Sequence, residues 1–315
     1  MEKKQLGRSG LMVSPICLGG NVFGWTIDEQ KSFTILDAFV DRGFNFIDTA
    51  DVYSRWVPGN KGGESETILG NWFARTGKRD KVVLATKVGM EVAEGKGLRK
   101  AHIVKAVEQS LQRLQTSYID LYQAHTDDAE TPLEETLGAF ASLVQAGKVR
   151  AIGASNYSGK RLAVALDISR HNGFPRYESI QPHYNLVVRQ EYEEGVEPVV
   201  DKHNIGVIPY FSLAAGFLTG KYKSKADAEG AARAGYVTKY FDERGERILK
   251  ALAEVSASTG AKQATVALAW LLSRRTVTAP IASATSLEQL NEVLAAGELK
   301  LHRDDTVKLC KASAL

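Results

Sequence analysis

The sequence predicts an α/β fold, a single (β/α)8 barrel of the TIM type with an N-terminal hairpin and extra helices. Three observations favour this fold. Eight short apolar segments alternate with segments of helical periodicity, at spacings suited to right-handed parallel crossovers. No linker or composition shift divides residues 1–315, so one domain is predicted. A doubly wound sheet would need a Gly-x-Gly-x-x-Gly turn after its first strand, and residues 19–24, Gly-Gly-Asn-Val-Phe-Gly, lack that spacing.

The strands are predicted from short runs rich in β-branched and aromatic residues, most of them bounded by turn-forming residues. Residues 4–14 alternate around a Ser9-Gly10 turn and are predicted to form a hairpin before the barrel. The eight predicted barrel strands, in chain order, are 15–19, 44–48, 82–86, 119–122, 149–153, 179–181, 207–211 and 279–282.

Helices are predicted between the strands from apolar residues at helical spacing and from capping residues at their ends. One further helix is predicted over 189–203, two near 246–258 and 263–273, and a last one after Ser286. The Gly-, Ala- and Lys-rich segment 212–245 is predicted to be a functional loop insertion. On four of these helices, the residues predicted to face inward are Phe33, Leu36, Phe39 and Val40; Leu69, Trp72 and Phe73; Ile103, Val107, Leu111 and Leu114; and Leu162, Ala165 and Ile168. The predicted caps are capping boxes of Thr26 with Glu29, Thr131 with Glu134 and Ser286 with Gln289, then Ser158, and the terminating Gly43, Gly77 and Gly147.

Composition excludes several classes of function. With 44% hydrophobic and 24% charged residues, the chain is typical of a soluble globular protein. The net charge of +3 is scattered, which disfavours nucleic acid and membrane surfaces as partners. Two cysteines, Cys17 and Cys310, form no disulfide framework, and no signal peptide pattern follows the first residues, so a cytoplasmic location is expected. No metal site is predicted.

Four polar residues fall at or just beyond the ends of three consecutive predicted strands. Asp48 ends the second strand with Tyr53 on its loop, Lys87 ends the third, and His125 ends the fourth. Chemistry in such barrels occurs at this end. Lys87, paired with Asp48, would lower the pKa of Tyr53 from about 10 toward neutrality, and a neutral His125 could donate to a carbonyl oxygen. Each residue alone has a structural explanation, but together they predict a proton relay.

Further segments extend this pattern along almost the whole chain. They are 43–50 with Tyr53, Thr86-Lys87, Gln123-x-His125-x-x-Asp128, 153–157, Gln181-x-x-Tyr184-Asn185-Leu186, 210–213 and 216–221. In these segments the chain resembles the aldo-keto reductase superfamily. The resemblance implies a barrel that binds extended NADP(H), with NAD(H) as the alternative, and reduces an aldehyde or ketone or catalyses the reverse oxidation. It also implies Tyr53 as proton donor, supported by Asp48, Lys87 and His125.

The resemblance further implies a set of cofactor-binding residues. Ser155, Asn156 and Gln181 would bind the nicotinamide carboxamide, and Tyr210 would stack on its ring. The pyrophosphate would be held by Ser212, Leu213, Gly216 and Lys221, and the adenosine end by Ser283, Thr285 and Gln289. Ser155 and Asn156 could instead be turn residues, and Gln289 could serve only the Ser286 cap.

Two departures and two alternatives accompany the resemblance. Many relatives have a cation around 283–285 and an asparagine four residues after the Gln289 position, where this chain has Ala284 and Val293. Lys221, Lys223 and Arg275 could supply the missing charge.

Trp25 and Trp56 are expected to line the substrate pocket, although they could simply anchor loops. A Schiff-base lyase acting through Lys87 and a cofactor-sensing regulatory subunit are the competing functions.

Overall fold

The computed structural model describes residues 2–230 and 233–315 and contains a barrel of eight parallel strands surrounded by helices. The strands are β1 Lys4–Gln5, β2 Met12–Val13, β3 Cys17–Gly19, β4 Phe46–Asp48, β5 Val83–Val88, β6 Ile119–Ala124, β7 Val149–Ser155, β8 Tyr177–Gln181, β9 Gly206–Val207 and β10 Ile281–Ala282. The helices are α1 Glu29–Asp41, α2 Glu64–Thr76, α3 Lys100–Leu114, α4 Leu133–Gln145, α5 Gly159–Asn172, α6 Glu197–His203, α7 Ala234–Val237, α8 Glu243–Thr259, α9 Gln263–Leu272, α10 Leu287–Ala295 and α11 Arg303–Ala312. The predicted fold class is confirmed.

The sheet closes on itself between its first and last strands. Its order is β10-β3-β4-β5-β6-β7-β8-β9, all parallel. The residues after β9 bond to those before β10: the amide of Thr278 donates to the carbonyl of Val207 and that of Ile281 to Pro209, both at 2.9 Å. Closure satisfies the edge groups that an open sheet would leave unpaired.

The hairpin closes the N-terminal end of the barrel. β1 and β2 pair antiparallel, with Lys4 opposite Val13. The hairpin residues Leu6, Leu11 and Val13 pack in one buried cluster with Phe46 of β4 and the inward-facing residues of neighbouring strands. Since apolar side chains fill the barrel interior at this end, a site inside the barrel is expected at the opposite end, where the strands finish.

Several predicted boundaries are wrong for local reasons. Helix α1 is capped by Asp28, whose carboxylate accepts from the amide of Lys31 at 2.8 Å, so the predicted Thr26 box does not form. Thr131 donates to Asp128 instead of capping α4, which begins after Pro132.

Two other elements differ from the prediction, and helix α11 was not predicted. The predicted strand 207–211 is shorter in the structure: β9 is Gly206–Val207, Tyr210 keeps only an isolated bridge to His183, and the backbone turns into the left-handed region at Phe211 (φ 52°). The predicted helix 189–203 starts as a π-helix, Glu191–Val196, before α6. Within the described residues, no helix is both long and apolar enough to cross a membrane.

Candidate active site

A layer of polar side chains lies directly above the apolar interior of the barrel. Side chains two residues apart on a strand share a face. Phe46, Ala85 and Leu121 belong to the buried cluster at the closed end, so Asp48, Lys87 and Gln123, each two residues further along, also face the interior. Gln181, the last residue of β8, joins them through hydrogen bonds to Asp48 and Gln123. The site therefore begins where the inward face changes from apolar to polar.

Lys87 is the centre of this layer and is completely buried. Its Nζ donates to Asp48 Oδ2 at 2.7 Å, to the carbonyl of Thr49 at 2.8 Å and to the Tyr53 hydroxyl oxygen at 3.0 Å. An ammonium group has three protons, and all three are used. Burial by itself lowers the pKa of Lys87, but Asp48 and Tyr53 outweigh it and raise that pKa above its ordinary value. Lys87 is thus a fixed cation.

Asp48 is held by amide groups as well as by Lys87. Its Oδ1 accepts from Gln181 Nε2 at 3.0 Å and from Gln123 Nε2 at 3.2 Å. The prediction assigned the Gln181 amide to the cofactor, whereas here its NH₂ group is directed at Asp48. No role was predicted for Gln123 of the motif Gln123-x-His125-x-x-Asp128, although its place two residues after inward-facing Leu121 could have identified it.

Tyr53 lies beside the ammonium, but its acidity differs from the prediction. The Lys87 Nζ is 4.7 Å from the Tyr53 ring centroid as well as bonded to its oxygen. Burial raises the pKa of Tyr53 above 10, and the lowering by Lys87 does not overcome it. The predicted shift toward neutrality is therefore wrong. The reason is that Asp48 already compensates Lys87, so a tyrosinate would add an uncompensated charge to a buried site.

His125 lies against the other side of the tyrosine. The two ring centroids are 5.9 Å apart at an interplanar angle of 74°. Burial, and then the Lys87 charge, lower the pKa of His125 well below 6.5, so the imidazole is neutral at physiological pH. Its Nδ1 is buried without a partner among the described residues. Its carbonyl accepts from Asn156 at 2.9 Å, which ties it to the end of β7.

The four predicted catalytic residues, Asp48, Tyr53, Lys87 and His125, are called the tetrad below. The residues predicted to bind nicotinamide form one connected group beside this tetrad. Ser155 donates to the carbonyl of Gln181 at 2.9 Å. Asn156, in the left-handed region (φ 55°), donates to Ser155 Oγ and accepts from the Tyr210 hydroxyl at 2.8 Å. One face of the Tyr210 ring stacks on His183, which the sequence analysis did not single out.

The loop after β9 has an unusual backbone. Phe211, Ala214 and Ala215 have positive φ angles of 52°, 48° and 58°, and Gly216 follows at 103°. Such conformations cost of order 1–3 kcal/mol at each non-glycine residue and persist where the surroundings enforce them, often at binding sites. A side chain added at Gly216 would meet Lys221 Cε at 3.3 Å, so the lysine lies directly against this turn. Consecutive amides beside a lysine suit an anion.

The predicted adenosine-end residues lie after β10. Ser283 Oγ donates to Asn21 Oδ1 at 2.6 Å, which joins this end to the loop after β3. Gln289 Oε1 accepts from both the amide and the hydroxyl of Thr285 at 2.9 Å. The Ser286 side chain caps α10 by accepting from the backbone amide of Gln289. The side chain of Gln289 is not needed for that cap and instead holds Thr285.

The two tryptophans form an aromatic wall next to Tyr53. Trp56 contacts the Tyr53 ring with centroids 5.7 Å apart, and Trp25 meets Trp56 at 5.5 Å and 86°. Arg233, from the segment predicted as a loop insertion, lies over Trp25 with its Cζ 5.2 Å from the ring centroid. Arg233 was not among the predicted site residues, because only the folding of that segment brings it to Trp25.

Arg275, one of the suggested phosphate cations, lies away from this site. It pairs with Asp201 and lines a polar hollow with Lys4, Gln5 and Gly7 of the hairpin. The hairpin closes the N-terminal end of the barrel, so Arg275 is at the end opposite to Lys87. Along 2–230 and 233–315, no three His, Cys, Asp or Glu side chains are grouped to hold a metal ion.

Comparison with known proteins gives a consistent result. The family model described as "Aldo/keto reductase family" matches residues 15–314. The chain is 38% identical over 313 residues to the uncharacterized oxidoreductase YrpG of Bacillus subtilis (strain 168), covering 96% of this chain and 93% of that protein. It is 34% identical to the aldo-keto reductase AMT2 of Alternaria alternata, with 97% and 90% covered. The protein tas of Escherichia coli (strain K12) is 32% identical, with 96% and 95% covered.

Proposed function

The chain belongs to the aldo/keto reductase family, and from this premise we propose that it reduces an aldehyde or ketone to an alcohol, or catalyses the reverse oxidation. We propose NADP(H) as its cofactor, with NAD(H) as the alternative, and Asp48, Tyr53, Lys87 and His125 as its catalytic residues. The observation that carries the proposal is the hydrogen bond from the Lys87 ammonium to the Tyr53 oxygen.

That bond orients the tyrosine proton. The ammonium is a donor only, so the phenolic oxygen accepts from it and its own O–H proton must point elsewhere. The pKa of Tyr53 is raised by burial, which keeps that proton in place at neutral pH. When a carbonyl oxygen gains negative charge, Tyr53 delivers the proton, and the adjacent Lys87 stabilises the resulting phenolate. A nicotinamide cofactor held beside Tyr210 would supply the hydride for the carbonyl carbon.

His125 completes the oxyanion site. Its Nδ1 is buried without a partner among the described residues, and a buried acceptor without a partner costs less than a buried N–H without one. We infer that the proton resides on Nε2, where a neutral imidazole can donate to the substrate oxygen. A neutral His125 suits this role, because an imidazolium beside Lys87 would add a second buried positive charge.

The chain's own residues fit a nicotinamide dinucleotide. The positive-φ turn at 214–216 with Lys221 offers amides and a charge to a pyrophosphate, and Tyr210 offers a ring face beside the tetrad. Preference for NADP(H) rests on the family, because no cation stands at 283–285 and Arg275 lies at the other end. Lys221 lies against this turn and Arg233 lies over Trp25 of the aromatic wall, so these two cations are available on this side of the barrel.

A Schiff-base lyase is not favoured. Imine formation needs a neutral, accessible amine. Lys87 is fully buried, its three protons are bonded, and its pKa is raised rather than lowered. A cofactor-sensing regulatory role remains a distinct outcome of the experiment below.

The test is turnover by wild type and a Tyr53→Phe variant, with NADPH and NADH assayed side by side on a panel of aldehydes, ketones and sugars. Tyr53→Phe is expected to lower kcat at least about 100-fold while cofactor still binds, since general acid catalysis contributes about 10²–10⁴-fold. Tyr118→Phe is the matched control, because Tyr118 precedes β6 at the opposite end of the strand and packs on Arg79 and Arg150. Retained activity in Tyr53→Phe would refute the assignment, and a wild type that binds NADPH without turnover would favour the regulatory role.

A further inference from the structure

His183 lies against the ring that we propose to stack on nicotinamide. Tyr210 follows β9 and His183 follows β8, and the two form a parallel β-bridge. The amide of Tyr210 donates to the carbonyl of Pro182 at 2.9 Å. This backbone register sets the two side chains next to each other, and their rings stack with centroids 5.2 Å apart and 25° between planes. The contact is therefore built into the pairing of adjacent strands.

The Tyr210 ring is restrained from three directions. His183 covers one face, Phe211 contacts it with centroids 5.4 Å apart, and Asn156 Oδ1 accepts from its hydroxyl at 2.8 Å. Phe211 also contacts His183 at 5.5 Å, so the three rings form one cluster. Asn185 holds this cluster by donating to the carbonyl of Phe211 at 2.9 Å. With His183 stacked on one face, a ligand ring would stack on the opposite face of Tyr210.

We propose that His183 is a positioning residue for hydride transfer, whose imidazole holds the Tyr210 ring in the orientation that receives the nicotinamide. This inference rests on the proposed function. Without His183, the tyrosine ring would gain rotational freedom that cofactor binding must remove again, which weakens binding. His183 touches neither cofactor nor substrate in this role and acts only through Tyr210.

The charge of the imidazole also matters. Burial, and then the Lys239 ammonium, lower the pKa of His183 to about 4, so the ring is neutral when the enzyme works. Its Nε2 is buried and has no partner among the described residues, so no hydrogen bond at Nε2 holds the ring in place. A neutral ring behind Tyr210 tolerates the oxidised cofactor, whose nicotinamide is positively charged. A permanent cation at this position would repel the oxidised form selectively.

The test measures the dissociation constants of reduced and oxidised cofactor for wild type, His183→Ala, His183→Phe and His183→Arg, together with kcat and KM. His183→Ala should weaken binding of both forms about 2- to 12-fold, the range that an aromatic pair contributes. His183→Phe keeps a flat ring and should stay within about twofold of wild type. His183→Arg should weaken the oxidised form at least about threefold more than the reduced form. His171→Ala is the matched control, because His171 is exposed on α5 and its ring bonds, among the described residues, only to the Asp167 carbonyl.

Two results would overturn the inference. One is a folded His183→Ala variant that binds both cofactor forms as wild type does. The other is His183→Phe behaving like His183→Ala, with His183→Arg showing no selectivity between the two forms. If wild type itself binds neither form, both this inference and the proposed function fail. If wild type binds both cofactor forms and the His183 variants bind them equally well, only this inference fails and the proposed function stands.

Discussion

Replacing Lys87 by methionine removes one charge of a buried pair and keeps a side chain of similar length. The side chain of Lys87 is 0% exposed and that of Asp48 is 2% exposed, so water cannot compensate the carboxylate that remains. Removing one partner of a buried pair costs about 3–5 kcal/mol. Gln123 and Gln181 still donate to Asp48 Oδ1 in the variant, and these bonds place the expected loss at the lower end, about 3 kcal/mol.

The assay is urea unfolding at pH 8, followed by tryptophan fluorescence and far-UV circular dichroism. The double variant Asp48→Asn/Lys87→Met removes both charges and should regain about half of the lost free energy of unfolding, as expected for a coupled pair. Lys78→Met is the control, since Lys78 pairs with Asp37 and Asp41 at the surface and its loss should cost no more than about 1 kcal/mol. The reasoning fails if Lys87→Met also loses less than about 1 kcal/mol, or if the double variant is no more stable than the single one.

Two further predictions concern pH. Both carboxyl oxygens of Asp51 are buried without partners among the described residues, and burial, then Glu66, raise the pKa of Asp51 well above 3.8. The folded state therefore keeps a proton that the unfolded chain releases above about pH 4, and stability falls as the pH rises from there. Asp51→Asn should raise Tm relative to wild type at pH 8 and change it little at pH 4; an equal change at both pH values would contradict this. In the reductive direction, kcat/KM should be flat from pH 6 to 9 in a steady-state profile, because the pKa of His125 is lowered well below 6.5 and that of Tyr53 is raised above 10; a titration near 6.5 or 8 would show that the assigned protonation states are wrong.

Much of the fold could be predicted because its determinants are local. The alternation of apolar strands and periodic helices specified the barrel, and Gly77 in the left-handed region ends α2 as its sequence position indicated. Ser158 likewise caps α5 by accepting from the amide of Arg161 at 3.2 Å. The errors occurred where several local caps compete, as at Thr26 and Asp28, since only one can meet the helix amides. Helix α11 was missed although it is regular, with Leu309 and Ala312 as its buried residues.

The candidate site, like the fold, could be predicted from the sequence only in part. Strand ends indicated that Asp48 and Lys87 lie together, because adjacent parallel strands finish at one rim. The sequence did not show that Gln181 donates to Asp48, a contact between residues 133 positions apart that depends on the closed barrel. The acidity of Tyr53 was predicted with the wrong sign, because the sequence identifies charged neighbours but not how completely the site is removed from water.

By itself, the sequence determined the barrel, its hairpin and the residue types at the strand ends, since side-chain period and capping act over a few residues. Only the tertiary structure decided which groups bond across the barrel, that Arg275 lies at the closed end, and that His183 stacks on Tyr210. The physical reason is that desolvation and long-range hydrogen bonding depend on the complete enclosure of a site, which no single segment of the chain contains.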